Sequence, residues 1–433
     1  MSPAQRFEHL NASEAASLIE KGDLTSEALV GACFERIGPR EPSVGAWAYL
    51  DRDAAVAHAR RLDREARRAP LHGIPVGIKD IIDTADMPTA HGSPIYEGNR
   101  PNCDAACVAM LRSAGAVVLG KTVTTEFAAM TPGKTRNPLR LEHTPGGSSS
   151  GSAAAVADFM VPVALGTQTV GSTIRPASYC GVVGFKPTYH TFSLAGVKAQ
   201  SESMDTLGLI ARSVSDIQLV GDGLLGVAGA FEAPPLRSAP HLAFCRSPHW
   251  PKARPATIAA MERASSLFRS FGAPIEDVDL PPSFDRVLDA QWTILSFEFA
   301  RVLAYERTQR RELLSERLCT LLDNGTKIAL ADYRSALSLA RTCRAEIAPL
   351  FERYDAILTP AASGEAPHGL QSSSDLLFQR LWTVLHLPAI TLPGLVGEQG
   401  LPIGVQLVGR HGGDANLLTV ARWAERVLQT LRK

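Results

Sequence analysis

Gly146-Gly147-Ser148-Ser149-Ser150-Gly151-Ser152-Ala153-Ala154-Ala155-Val156 is an unbroken run of small residues. Without side-chain bulk, its backbone can approach a neighbouring segment or a reacting group closely. Three adjacent hydroxyls, on Ser148, Ser149 and Ser150, supply donors and acceptors able to relay a proton. The alanines that follow are strong helix formers. The loop therefore opens onto a helix N-terminus, where backbone N–H groups point outward. A second small-residue turn, Thr169-Val170-Gly171-Ser172, comes shortly after, and a lone lysine, Lys79, ends an apolar stretch further upstream.

Working outward, Ile74–Ile78, Val117–Leu119 and Val161–Leu165 read as short buried strands. Between them, Asp104 is placed to cap a helix through Val108, Met110 and Leu111, which Gly115 ends. Strands alternating with helices predict an α/β sandwich with a largely buried sheet. Residues 1–70 read as helical: Ala15, Leu18 and Ile19 share a face, Thr25 caps a helix running to a Gly38-Pro39 stop, and Ala54–Ala66 is a charged amphipathic helix. Residues 229–240 form a Pro/Ala-rich connector. A strand–helix–strand follows (His241–Arg246, Thr257–Phe271, Pro274–Leu280), then a mostly helical stretch over Leu288–Leu350. Asp355–Leu358 and Gly404–Val408 are late strands, and Ala415–Leu431 is a closing helix. No low-complexity linker divides the chain. The expectation is one domain over 1–433, with a helical segment to about residue 70, a core over about 71–215, and a remainder over about 240–433 that completes the sheet and covers the pocket.

Composition excludes several roles. Lys plus Arg equals Asp plus Glu at 44 each, so neither nucleic acid nor an anionic membrane is expected as a partner. The seven cysteines form no CxxC pair. Cys103 and Cys107 could share a helical turn, but no histidine completes a metal set, so no metal is expected and the thiols read as reduced. The charged, mixed segment Met1–Leu10 does not resemble a signal peptide, and Ala153–Gly166, broken by Asp158 and Pro162, is too short to span a bilayer. A cytoplasmic location is the expectation.

Cleaving an acyl bond needs a nucleophile, a base and an oxyanion site. Ser172 follows a strand and the tight turn Gln168-Thr169-Val170-Gly171, whose successive N–H groups could converge on one point. Lys79 closes an apolar strand, where burial would free its amine to act as a base. Lys121 closes another in the same manner, and the residues alone do not choose between them.

Three ordered segments carry a resemblance: Pro75–Asp80, Gly146–Ser152 and Thr169–Arg175. They are similar to the Pro-Val-x-x-Lys-Asp, Gly-Gly-Ser-Ser-x-Gly-Ser and Thr-x-Gly-Ser-x-x-Arg motifs of the amidase signature family, serine hydrolases with a Ser-Ser-Lys triad. Gly181–Thr188 and Asp205–Gly208 also look like that family. Similarity is dense over about 71–212 and thinner beyond. Within the family, Ile78–Thr84 and Gly166–Thr169 are most similar to the bacterial malonamidases. The resemblance implies a large mixed sheet covered by helices on both faces (α/β/α). It assigns Ser172 as nucleophile, Ser148 as a bridging serine preceded by a cis peptide, and Lys79 as base. It implies that Thr169, Val170, Gly171 and Ser172 form the oxyanion hole, that Ser149 buttresses the network, and that Phe127, Ala128 and Met130 form one pocket wall.

Two departures stand out. Many relatives carry aspartate where this chain has Gln168, which would leave Arg175 without a carboxylate partner and able to bind a substrate carboxylate, as on a malonamate-like amide. The other reading of Arg175 is a structural arginine bonding loop carbonyls. Many relatives also carry glycine at Val170, which is expected to keep negative φ with its methyls toward the acyl pocket or the core.

The resemblance thus implies hydrolysis of small linear amides through a seryl acyl-enzyme, with a small-molecule substrate, no cofactor, and a homodimer as a compatible assembly. Esters, carbamates and ureas suit the same triad. A second alternative is the amide-cleaving subunit of a tRNA-dependent amidotransferase, which shares the fold but works in a complex; the neutral charge counts against it. A non-catalytic scaffold has only Val170 in its favour. Gly147-x-Ser149-x-Gly151 also matches a nucleophile elbow with Ser149 as nucleophile, but the polar Glu142-His143-Thr144 and Pro145 supply no preceding strand.

Overall fold

The apolar runs on either side of the serine loop pair with one another. A computed structural model of the chain describes residues 7–67, 69–373 and 375–432. In chain order the strands are β1 (Trp47–Leu50), β2 (Pro75–Lys79), β3 (Val117–Thr122), β4 (Val163–Gln168), β5 (Val183–Lys186), β6 (Thr206–Ala211), β7 (Leu242–Phe244), β8 (Ile275–Asp277), β9 (Ala356–Pro360), β10 (Ala389–Val396) and β11 (Pro402–Val408). Among the described residues they form one eleven-stranded sheet in the order β1-β3-β2-β4-β6-β5-β10-β11-β9-β7-β8. The sheet is mixed: β2 runs parallel to β3 and β4, whereas β4 is antiparallel to β6.

Strand alternation sends neighbouring side chains to opposite faces. Val117, Leu119, Ala164 and Ile210 pack with Ala153–Val156, Phe34 and Ala59 on one face. Val76, Ile78, Val118, Leu165 and Leu209 pack with Ala15, Leu111 and Val220 on the other. Helices therefore cover both faces, the α/β/α arrangement that the near-continuous apolar strands imply. The serine loop and its helix, Ser150–Ala157, are held against this frame with no spare room. A Cβ on Gly151 would stand 2.2 Å from the Ala46 carbonyl oxygen and 2.3 Å from the Val123 nitrogen.

Several expectations are corrected. The helix expected to stop at Gly38-Pro39 runs over Ser26–Val44 with Pro39 and Pro42 inside it, and ends at Gly45, which is left-handed. Interior proline costs about 3 kcal/mol. Burial of Phe34, Ile37 and Val44 offsets it, and the Glu41 carboxylate accepts the N–H groups of Ala46 and Trp47 just beyond. Asp104 does not cap the helix Ala106–Ser113; it accepts the Ala85 N–H and pairs with Arg112. Cys103 therefore precedes that helix rather than sharing a turn with Cys107. All seven cysteines are free. No described helix is long and apolar enough to cross a membrane.

Candidate active site

Lys79 is the last residue of β2, at the end of the parallel trio β3-β2-β4. It is fully buried, and its Nζ bonds to Ser148 Oγ and Thr167 Oγ1, each at 2.7 Å. Burial pushes its pKa down to about 7, opposed only by the charge of Asp205. An amine near neutrality beside a serine hydroxyl is a competent base.

The structure separates Lys79 from its rival. Ile78 and Lys121 are in register, so Lys79, one residue further on, points to the opposite face. Lys121 bonds the Ile82 carbonyl at 2.7 Å and Thr89 Oγ1 at 2.6 Å, and lies 3.5 Å from Asp80. Burial lowers it to about 8. A third buried lysine, Lys186, is also brought to about 7 by burial, but it donates to the Pro187 carbonyl. Among the described residues only Lys79 reaches a serine.

The serine loop sets each hydroxyl in a different place. The Gly147–Ser148 peptide is cis. The Ser148 carbonyl accepts the Thr125 N–H, and the Ser149 N–H donates to the Ser172 carbonyl at 3.2 Å, which ties the loop to the second turn. Ser149 is buried on the backbone of β4: its Oγ accepts the Thr167 N–H and donates to the Thr167 carbonyl. Ser149 therefore has no access to a cavity, and the elbow reading fails on geometry. Ser172, by contrast, lines a cavity of about 410 Å³.

The turn carrying Ser172 is braced on several sides. Gln168 Oε1 accepts the N–H groups of Thr173 and Ile174, both at 3.0 Å, at the start of the helix Ile174–Cys180. Its amide nitrogen donates to Thr383, whose hydroxyl donates to the Val170 carbonyl at 2.9 Å. Thr169 Oγ1 donates to Asp205 at 2.5 Å. Burial raises Asp205 to about 6, and bonds from Thr169, Gln200 and Ser201 counter that rise. With the turn so fixed, the N–H groups of Val170, Gly171 and Ser172 meet no protein acceptor among the described residues. Unpaired, preorganised donors beside a cavity-lining serine suit an oxyanion. Val170 is not among the residues at positive φ, and its side chain both lines the cavity and packs with Ile174, Leu381 and Trp382.

Arg175 is buried. It donates to the Gly147 carbonyl and to the Asp375 carbonyl, and its Nη2 lies 3.4 Å from Ser373 Oγ. Gln168, read from sequence as leaving Arg175 without a partner, instead caps the adjoining helix, and loop carbonyls receive the guanidinium. Ala128 and Met130 line the cavity, but Phe127 does not. Its ring is buried with Phe299, Leu303 and Leu318, and Phe127 and Ala128 both adopt positive φ in the turn that seats that ring.

Sequence reasoning missed Thr167, Gln200 and the far wall of the cavity: Trp292, Leu295, Phe299, Arg317 and Leu321. Their segments lie more than a hundred residues from the serine loop, apart from Thr167 and Gln200. The one local signal was Thr167, a polar residue ending an apolar run directly before the turn. Among the described residues no cluster of three or more metal-ligating side chains occurs.

Comparison with known proteins identifies the family. The Amidase family model matches residues 28–418. A curated relative from Symbiobacterium thermophilum, a subunit of glutamyl-tRNA(Gln) amidotransferase, is 32% identical, the alignment covering 96% of each chain. A solved amidase superposes with a TM-score of 0.87 at 30% identity, covering 96% of this chain and 99% of that one. The peptide amidase from Stenotrophomonas maltophilia superposes with a TM-score of 0.83 at 30% identity, covering 97% of both.

Proposed function

The chain belongs to the amidase family, enzymes that hydrolyse amide C–N bonds, and from that premise we propose that it cleaves small linear amides through an acyl-enzyme on Ser172. The observation that carries this reading is the 2.7 Å contact between Lys79 Nζ and Ser148 Oγ, in a buried site whose neighbouring serine opens onto the cavity.

The steps follow from the groups present. Neutral Lys79 takes the Ser148 hydroxyl proton as Ser148 takes that of Ser172. The Ser172 oxygen bonds to the carbonyl carbon, and the carbonyl π pair moves to oxygen, facing the N–H groups of residues 169–172. When the tetrahedral adduct collapses, the C–N bond breaks. Ser148 gives its proton to the departing nitrogen and is reprotonated from Lys79. Water then adds to the acyl carbon through the same relay and releases the acid, restoring Ser172. Esters, carbamates and ureas would enter by the same steps. Ammonia release from a panel of primary amides, run beside matched esters and carbamates, tests the reading: amides should be turned over. A panel in which only esters react would overturn it.

A second reading, a component of an amidotransferase complex, draws support from the curated relatives named for that enzyme. It predicts amide cleavage only with a co-purifying partner, whereas the reading preferred here predicts turnover by the purified chain alone.

The malonamate-like preference turns on Arg175. Its bonds to the Gly147 and Asp375 carbonyls favour a role in holding the Ser148 loop. Arg175→Gln should then lower kcat/KM on a malonamate-like acid and on its neutral diamide by the same factor. Loss of charge-assisted bonds worth about 1.5–3 kcal/mol corresponds to roughly ten- to a hundredfold. A loss confined to the acid would place the guanidinium on the substrate carboxylate instead.

Val170 narrows the cavity beside the nucleophile. Val170→Gly should broaden the acyl groups accepted, at a stability cost of about 2–3 kcal/mol from lost burial and added backbone freedom. Acyl-length series and thermal melts check both. A rate gain equal on every substrate would mean that the valine impairs the oxyanion site rather than shaping the pocket.

A further inference from the structure

We infer that Arg317 is a specificity-determining residue, and that the amide taken by this enzyme carries a carboxylate at the end of an apolar chain, away from the scissile bond. The proposal rests on the amidase reading for the bond cleaved, but on the cavity itself for the anion.

Among the described residues, the cavity that Ser172 opens onto is lined by two guanidiniums, Arg175 and Arg317, and by no carboxylate. Arg175 is buried and bonded into the serine loop. Arg317 is exposed, and its bond is to a backbone oxygen, that of Gln371 at 3.1 Å. Among the described residues it makes no ion pair, whereas Arg311, a few residues away, is paired by both nitrogens with Asp323. Two carboxylates of the flanking segments, Glu126 and Asp375, are engaged in the frame. Glu126 accepts the N–H and hydroxyl of Ser315, and Asp375 accepts the hydroxyl of Ser363 and the N–H of Leu377.

Arg317 is also held in position. Ser315 caps the helix Glu316–Lys327 and is bonded to Glu126 and Thr131, on the segment that supplies Ala128 and Met130 to the cavity. The first turn of that helix is therefore fixed relative to the pocket wall. The rest of the lining is largely apolar: Met130, Trp292, Leu295, Phe299, Leu321 and Leu376. An apolar chain would displace water from these side chains, and a terminal carboxylate would meet a planar donor fork that lacks a protein anion.

The test uses suberic acid monoamide and octanamide, which share chain length and amide and differ in the terminal carboxylate. Binding of each to Ser172→Ala is measured by calorimetry. The acid should bind roughly tenfold more tightly, about one charge-assisted contact. Adding Arg317→Gln should bring the ratio near one, and Arg317→Glu should invert it. On Ser172→Ala alone, raising the salt concentration should shrink the ratio, because the guanidinium is exposed; that measurement needs no second substitution to fold. Equal binding of the two amides, or a preference that survives Arg317→Gln, would overturn the proposal. Turnover by the unaltered enzyme is judged separately. An acid preference in binding with no hydrolysis of either amide would overturn the amidase reading and leave the Arg317 site standing. Hydrolysis of both with equal KM and equal binding would do the reverse.

Discussion

Ser172→Ala should abolish amide turnover, lowering kcat by at least ~10⁴-fold, and no acyl-enzyme should form. Ser172 is the serine that both lines the cavity and follows N–H groups with no protein acceptor among the described residues. Ser148→Ala should leave a small residual rate, because it removes the relay to Lys79 while the nucleophile and its oxyanion donors remain. Ser149→Ala should act differently again. Its hydroxyl bonds the backbone of β4, so its loss should appear chiefly in thermal stability. Steady-state rates and rapid-quench burst amplitudes separate the three. A Ser172→Ala enzyme that kept a burst would refute the assignment.

Lys79 sets the pH dependence. Its pKa lies at about 7 in the folded chain because burial penalises the ammonium. The protonated form cannot accept a proton, so kcat/KM should climb with pH up to about 7 and level off above it. Lys79→Met should lose on the order of 10³-fold or more and lose that limb. Lys121→Met should keep the limb, since Lys121 answers to Asp80, Thr89 and the Ile82 carbonyl. Stability provides a second readout. Between about pH 7 and the ordinary lysine value of 10.5, the unfolded chain holds a proton that the folded chain lacks. Stability therefore rises with pH across that window. Lys79→Met should remove the Lys79 share of the rise, leaving that of Lys121 and Lys186, and melt higher than the unaltered enzyme at pH 7. An unchanged pH profile in Lys79→Met would point to another base.

How much of this was legible in the sequence depends on how locally each feature is determined. The serine loop and the Thr169–Arg175 turn were readable because close backbone approach restricts them to small residues over a short span. Val170 kept a φ open to non-glycine residues, as its β-branch requires. The choice between Lys79 and Lys121 was not readable. Both end apolar strands, and only the register of β2 on β3 sends them to opposite faces. Strands β5 and β6 carry glycines that weaken any strand pattern. Gly184 and Gly208 are there because Ala177 and Thr173 press on them, a fact of tertiary packing. Pro39 misled for a related reason: the core beneath Phe34 and Ile37 outweighs a local stop signal. Gln168 was read against Arg175 because many relatives carry aspartate there, yet its amide turned to the helix N-terminus next to it. The cavity wall from Trp292 to Leu321 comes from segments without a motif, so no local reading could have placed Arg317.

The most direct test of the account is covalent labelling of the purified chain with a fluorophosphonate, followed by peptide mass spectrometry. A single adduct is predicted on Ser172, blocked in Ser172→Ala and slowed below pH 7 as Lys79 takes up its proton. An adduct on Ser149, or labelling of Ser172 that ignores both pH and the loss of Lys79, would contradict it.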